Sequence, residues 1–125
     1  MGERVTSYRD LKVWQRAIDL VPEVYELLRS FPKHETYALA DQIRRAVVSI
    51  PANIAEGQAR QHRKEFLQSL YVARGSLAEL ETLLVVAEKL SYLGAEATAP
   101  VLAAMTELRR MLSGLISRLH GRTGT

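Results

Sequence analysis

Cysteine is absent from the 125 residues. That excludes a disulfide framework, thiolate metal sites and cysteine nucleophiles, and it suits a reducing compartment. Aromatic residues make up only 6% of the chain, and none interleave with basic residues as they do in proteins that stack single-stranded bases. No apolar run approaches the roughly 18 residues of a membrane span. The opening MGERVTSYRD has no apolar signal region, so the expectation is a cytoplasmic protein without membrane contact. Glycine-rich phosphate loops and GxSxG elbows are missing. The three histidines, His34, His62 and His120, fall in different loops or ends. None has the i, i+4 partner of a helical metal site, and no Glu-x-x-His pair supports a di-metal carboxylate bundle. Arg29 and His34 have the Arg-x4-His spacing of some helical-bundle ribonucleases, but Pro32 lies between them. The expectation is a non-enzyme with no metal or cofactor.

Helix formers are abundant. Hydrophobic residues make up 47% and charged residues 25% of one domain-sized chain. Apolar spacing predicts four helices, over residues 9–30, 36–60, 63–92 and 98–119. Ser7 and Asp10 resemble a capping box before the first. The core stripe of the first reads Leu11, Trp14, Ile18, Val21, Tyr25 and Leu28, with Pro22 expected to kink it. The second presents Leu39, Ile43, Val47, Ile50 and Ile54, interrupted by Pro51. The third carries the heptad seam Phe66, Leu70, Ala73, Leu77, Leu80, Leu84 and Ala87, with Gly94 as its C-cap. The fourth presents Val101, Met105, Leu108, Leu112, Leu115 and Leu119, with Pro100 in its first turn and a frayed GRTGT tail. Repeats of 3.5 residues and short connections predict an all-α, left-handed, antiparallel up-down-up-down four-helix bundle as a single domain.

Three helices carry a second apolar or small-residue face. In the first it is Val13, Ala17, Leu20, Val24, Leu27 and Phe31. In the third it is Val72, Ser76, Glu79, Leu83, Val86 and Leu90. In the second it is Val48, Ala52, Ala55 and Ala59. A lone bundle needs one stripe per helix, so the surplus predicts a homo-oligomer packed on the backs of the second and third helices.

Charge is uneven. Residues 36–64 carry Arg44, Arg45, Arg60, Arg63 and Lys64 against Asp41 and Glu56, and Arg109, Arg110, Arg118 and Arg122 form a second basic group. The block Ser49-Ile-Pro-Ala-Asn-Ile-Ala-Glu-Gly57 is preceded by Gln42-Ile-Arg-Arg-Ala46 and followed by Ala73-Arg-Gly-Ser-Leu-Ala-Glu-Leu-Glu81. With Tyr8-Arg-Asp-Leu-Lys-Val-Trp14 and Phe31-Pro32, these segments resemble the bacterial four-helix bundle family of proteins encoded in 23S rRNA intervening sequences, over residues 8–119. The resemblance implies a cytoplasmic antiparallel bundle that assembles as a homo-pentameric ring, and assigns no molecular function. The accessory variability protein of diversity-generating retroelements looks like a relative, and it is a basic pentamer that engages nucleic acid and a reverse transcriptase.

Pro51 cannot donate to the Val47 carbonyl, and Ser49 can offer its hydroxyl to a freed carbonyl nearby. Arg45, Ser49, Asn53, Glu56, Arg74 and Glu79 are expected to form a structural polar network, buried or at a subunit interface, because an isolated buried charge is costly. Arg60, Arg63 and Lys64, with Arg44 in support, are the candidate nucleic-acid contacts, acting on phosphate and shape. The functional expectation is an oligomer that binds structured RNA or DNA without catalysis. The alternative is an oligomeric scaffold or adaptor for a protein partner.

Overall fold

The computed structural model describes residues 7–123, with the side chains of residues 122 and 123 outside that description. Ser7 and Asp10 close the expected capping box, but around a 3₁₀ turn, Tyr8–Asp10, that precedes the first helix. Four helices follow: α1 (Lys12–Leu28), α2 (Leu39–Ala59), α3 (Arg63–Lys89) and α4 (Ala95–Thr123). No strand occurs among the described residues. Cross-helix pairs run in opposite directions: Arg16 meets Glu107 between α1 and α4, while Arg74 meets Ser113 and Glu81 meets Arg109 between α3 and α4. Each helix packs on its two neighbours in the ring α1-α2-α3-α4, which is an antiparallel four-helix bundle around one hydrophobic core.

The core stripe of α2 holds, as does that of α4 with Ile116 buried and Leu115 half-buried, and the α3 seam with Leu67 buried and Phe66 half-buried at its start. In α1 the faces are largely reversed: of the expected stripe only Leu28 is buried, while Leu11, Trp14 and Val21 are half-buried. Val13, Ala17, Leu20, Val24 and Leu27 are buried, while Ile18 and Tyr25 are exposed. Both stripes have helical spacing. The one with the smaller side chains lets α1 lie close to its neighbours, and the one with Trp14 and Tyr25 leaves amphipathic rings at the surface. Trp14 there packs against Tyr8 at 5.2 Å, and the Arg9 guanidinium sits 5.6 Å from its ring centre.

Pro22 and Pro51 both lie inside unbroken helices. Ser49 donates its hydroxyl to the Ala46 carbonyl at 2.7 Å, one residue before the Val47 carbonyl that Pro51 frees. The third helix ends five residues before Gly94. Ser91, at φ 65°, takes the left-handed position, with Tyr92 N–H returning to the Ala87 carbonyl and Ser91 N–H to that of Glu88. Turning there folds Tyr92 back onto Phe31, ring centres 5.4 Å apart, and lets its hydroxyl donate to Glu35 Oε2 at 2.7 Å. Gly94 instead opens α4, its carbonyl accepting from Ala97 and Thr98. The buried Thr98 hydroxyl donates to the Glu88 carboxylate, so α4 begins three residues before the expected start and Pro100 becomes its sixth residue. At its other end α4 runs on to Thr123, through part of the tail expected to fray; the last two residues lie outside the described range.

The tightest approach is between α2 and α3. A Cβ on Gly57 would overlap Ser69 Cβ and lie 2.7 Å from its Oγ. Small residues at the crossing let the two backbones nearly touch. Gly57→Ala gains about 0.5–1 kcal/mol of helix propensity, but an overpacked contact costs about 1–3 kcal/mol. The expected outcome is a lower thermal midpoint, measured by circular dichroism, with Gly75→Ala, which meets nothing within 4 Å, as the control that stays level or rises.

Tyr92 and Glu35 tie the α1–α2 connection to the α3–α4 connection. The Tyr92 hydrogen bond holds the Glu35 carboxyl below its ordinary range, helped by Leu39 N–H at 3.2 Å and by His34. A depressed carboxylate contributes stability that is present above its unfolded value of about 4.3 and is lost as pH falls through the folded value. Wild type is expected to lose stability below about pH 4.3 more steeply than Glu35→Gln, read as thermal midpoint against pH.

Candidate nucleic-acid interface

Topology decides which charges meet. In an up-down bundle, α1 and α3 start at the end where α2 and α4 finish. That end collects Lys12, Arg60, Arg63, Lys64 and Arg118, residues from four different helices. Arg60 caps α2 and pairs with Glu56 at 3.2 Å. Gln61 turns the chain with φ 63°. Arg63 and Lys64 then open α3, both exposed, and neither forms an ion pair with a described residue. Cations at a helix start oppose the dipole, which favours acids there. Glu65 is the one acid in that turn.

On the neighbouring flank, Lys12, Arg110 and Arg118, with one acid, Asp10, line a cleft of about 360 Å³ together with Leu11, Val13, Met111 and Leu115. Gly114 lacks a side chain beneath the Arg118 guanidinium, whose Nη1 would lie 3.5 Å from a Cβ there. Arg109 is drawn away to Glu81 at 2.7 Å. The side chain of Arg122 lies outside the described residues.

Arg44 does not join this end. It precedes Arg60 by 16 residues of one helix, about 24 Å at 1.5 Å per residue. There its Nη1 donates to the Thr36 carbonyl at 3.1 Å. Its distance from the other three is a plain consequence of helix length. Arg29 and His34 also lie at that far end without meeting: Arg29 reaches Glu26 at 3.4 Å, and His34 faces Tyr92 and Glu35.

The six residues expected in a polar network separate into two groups. Arg45, Ser49, Asn53 and Glu79 line one shallow depression between α2 and α3. Asn53 continues into the next with Glu56 and Arg60. Within one chain these contacts are local: the exposed Arg45 pairs with Asp41 at 2.9 Å, and the half-buried Asn53 donates to the Ser49 carbonyl at 2.7 Å. The Gly57–Ser69 crossing leaves no room for a charge pair beneath it. Arg74 leaves on the opposite flank of α3 and donates to Ser113 Oγ at 3.3 Å. Val72 is exposed in this α2–α3 groove, Val86 and Leu90 are exposed farther along α3, and Val48 is exposed on the α1 side of α2, beside Tyr25.

One cluster had no signal in local sequence. Tyr71 and His120 are 49 positions apart, yet the Tyr71 hydroxyl is 2.6 Å from His120 Nε2. The Arg74 guanidinium lies 5.2 Å from the Tyr71 ring centre. Only the antiparallel register of α3 and α4 brings them together.

The profile of the 23S rRNA-intervening sequence protein family matches residues 9–114, and the chain belongs to that family. A crystal structure of a protein of unknown function from the S23 ribosomal protein family of Bacteroides thetaiotaomicron is similar, with a TM-score of 0.77 and 24% identity, over 84% of this chain and 95% of that one. That likeness shows the fold. Among curated proteins no significant match is found. No described helix is long and apolar enough to cross a membrane.

Proposed function

We propose that this member of the 23S rRNA-intervening sequence protein family is a non-enzymatic, cytoplasmic homo-oligomer that binds structured RNA through its basic end. The observation that carries the reading is the convergence of Lys12, Arg63, Lys64 and Arg118 on one end of the bundle, where neither Arg63 nor Lys64 is paired with an acid among the described residues. Two such cations at the start of α3 make a field that phosphate neutralises better than any group of the chain. The contacts are to backbone and shape, the terms that position a protein on an RNA helix.

Assembly multiplies that field. The exposed Val48 of α2 and Val72 and Val86 of α3, with the alanine back of α2, are the surface through which copies close into a ring, five in number as the family resemblance implies. In a ring each basic end is repeated around one axis, so weak contacts add. The depressions holding Arg45, Asn53 and Glu79 then lie at subunit contacts, where an interface polar layer fits them. A protein-binding scaffold uses the same ring without needing the basic end.

Light scattering of the wild type is expected to give a multiple of the 14.0 kDa chain, with Val72→Asp reducing it toward one chain; a wild-type monomer at micromolar concentration refutes the ring. For RNA, the Arg60→Ala, Arg63→Ala, Lys64→Ala variant is expected to bind a structured RNA more weakly, whatever its sequence. The log–log salt slope should flatten by roughly 0.7–0.9 for each phosphate that the variant no longer neutralises. Equal affinity and slope for the two proteins would move the interface away from this end. No wild-type binding at low salt would leave the scaffold.

A further inference from the structure

We infer that Tyr71, Arg74 and His120 form a stacking site for an unpaired nucleobase, placed beside the phosphate contacts. The inference rests on the RNA reading and adds to it what the basic end lacks, a contact with the bases. Phosphate-binding cations hold a duplex by its backbone; they have nothing to offer a base that has left the stack. Unpaired RNA bases are taken up on tyrosine and histidine rings and on arginine guanidinium planes, and all three side-chain types meet here.

The geometry is that of a small platform. Tyr71 is 40% exposed although it stands on the third helix of a packed bundle. His120 holds the phenol by its hydroxyl at 2.6 Å, with ring centres 6.1 Å apart and planes inclined by 49°. The Arg74 guanidinium is 5.2 Å from the ring centre and is itself steadied by Ser113 at 3.3 Å. Each group is fixed by a neighbour, so little rotamer freedom remains to be given up when a base binds. A structural tie between α3 and α4 needs the hydroxyl and the imidazole. It does not need an exposed ring with a guanidinium over one face, which leaves a base the other face or the outer side of the guanidinium plane.

Position supports the same conclusion. Lys64 and Tyr71 are seven residues apart on α3, two turns on one face, a rise of about 10 Å. That span is on the order of two nucleotide steps. A duplex end whose phosphate sits at Lys64 can therefore lay its first unpaired bases toward Tyr71. Val72 lines the groove with α2, whereas Tyr71 and Arg74 reach His120 and Ser113 of α4, so assembly through the α2 groove leaves the Tyr71 side open.

The test compares two RNA hairpins of identical stem, one blunt and one with a four-nucleotide single-stranded 3′ extension, against the full chain. Wild type should prefer the extended hairpin by roughly 5- to 150-fold, the range of one base–aromatic stack. Tyr71→Leu should abolish the preference while leaving blunt-hairpin affinity and its salt slope unchanged. Tyr71→Phe, which keeps the ring and removes the His120 hydrogen bond, should retain most of it. The Arg63→Ala, Lys64→Ala variant should weaken both hairpins equally. Circular dichroism melting establishes that each variant is folded. A wild type that binds both hairpins equally, or a folded Tyr71→Leu that keeps the preference, overturns the stacking site and leaves the phosphate interface in place. Failure of wild type to bind either hairpin overturns both.

Discussion

The approach of α2 to α3 at Gly57 and Ser69 governs much else in the molecule. With no Cβ on one side and a small side chain on the other, the two backbones come as close as helices can. A crossing that tight excludes any buried salt bridge at this level of the bundle. The polar side chains of the signature segment lie at the rim of the α2–α3 groove, where Asn53 and Glu56 find partners on their own helix or its cap, as Arg45 does farther along α2. The tight pair also holds the connection between these helices short, and so holds Arg60, Arg63 and Lys64 together at one end of the bundle.

Parity does the rest. Helices that alternate in direction bring the starts of α1 and α3 beside the finish of α4, so cations far apart in sequence share one end. The opposite end has the other character. There Tyr92, Glu35, Phe31 and Ser30 knit two connections with hydrogen bonds and ring packing, and Arg44 and Arg45 both lie near Asp41. That end is tied together by hydrogen bonds and ring packing; the other carries positive charge at helix starts, where the dipole disfavours it.

Much of this was legible in the sequence. The stripes of α2, α3 and α4 could be read because each has one face richer in large aliphatic residues than the rest. In α1 two faces compete, and spacing alone cannot rank them; the face of smaller residues is buried because it packs closer. The left-handed residue after α3 is Ser91 and not Gly94 because the contacts of Tyr92 outweigh the cost of a left-handed serine, about 1–2 kcal/mol. Arg60, Arg63 and Lys64 were readable as neighbours in sequence. Their union with Lys12 and Arg118, the separation of Arg44, and the meeting of Tyr71 with His120 all depend on register between helices, which no local pattern encodes.

The central claim is that one end of the bundle receives RNA and the other does not. The four lysines divide evenly between the ends: Lys12 and Lys64 at the basic end, Lys33 and Lys89 at the other. Acetylation of the lysines with and without a structured RNA, followed by peptide mass spectrometry, reports all four at once. Protection of Lys12 and Lys64, with Lys33 and Lys89 reacting as freely as in the protein alone, is the predicted result. Uniform protection, or protection centred on Lys33 and Lys89, would contradict it.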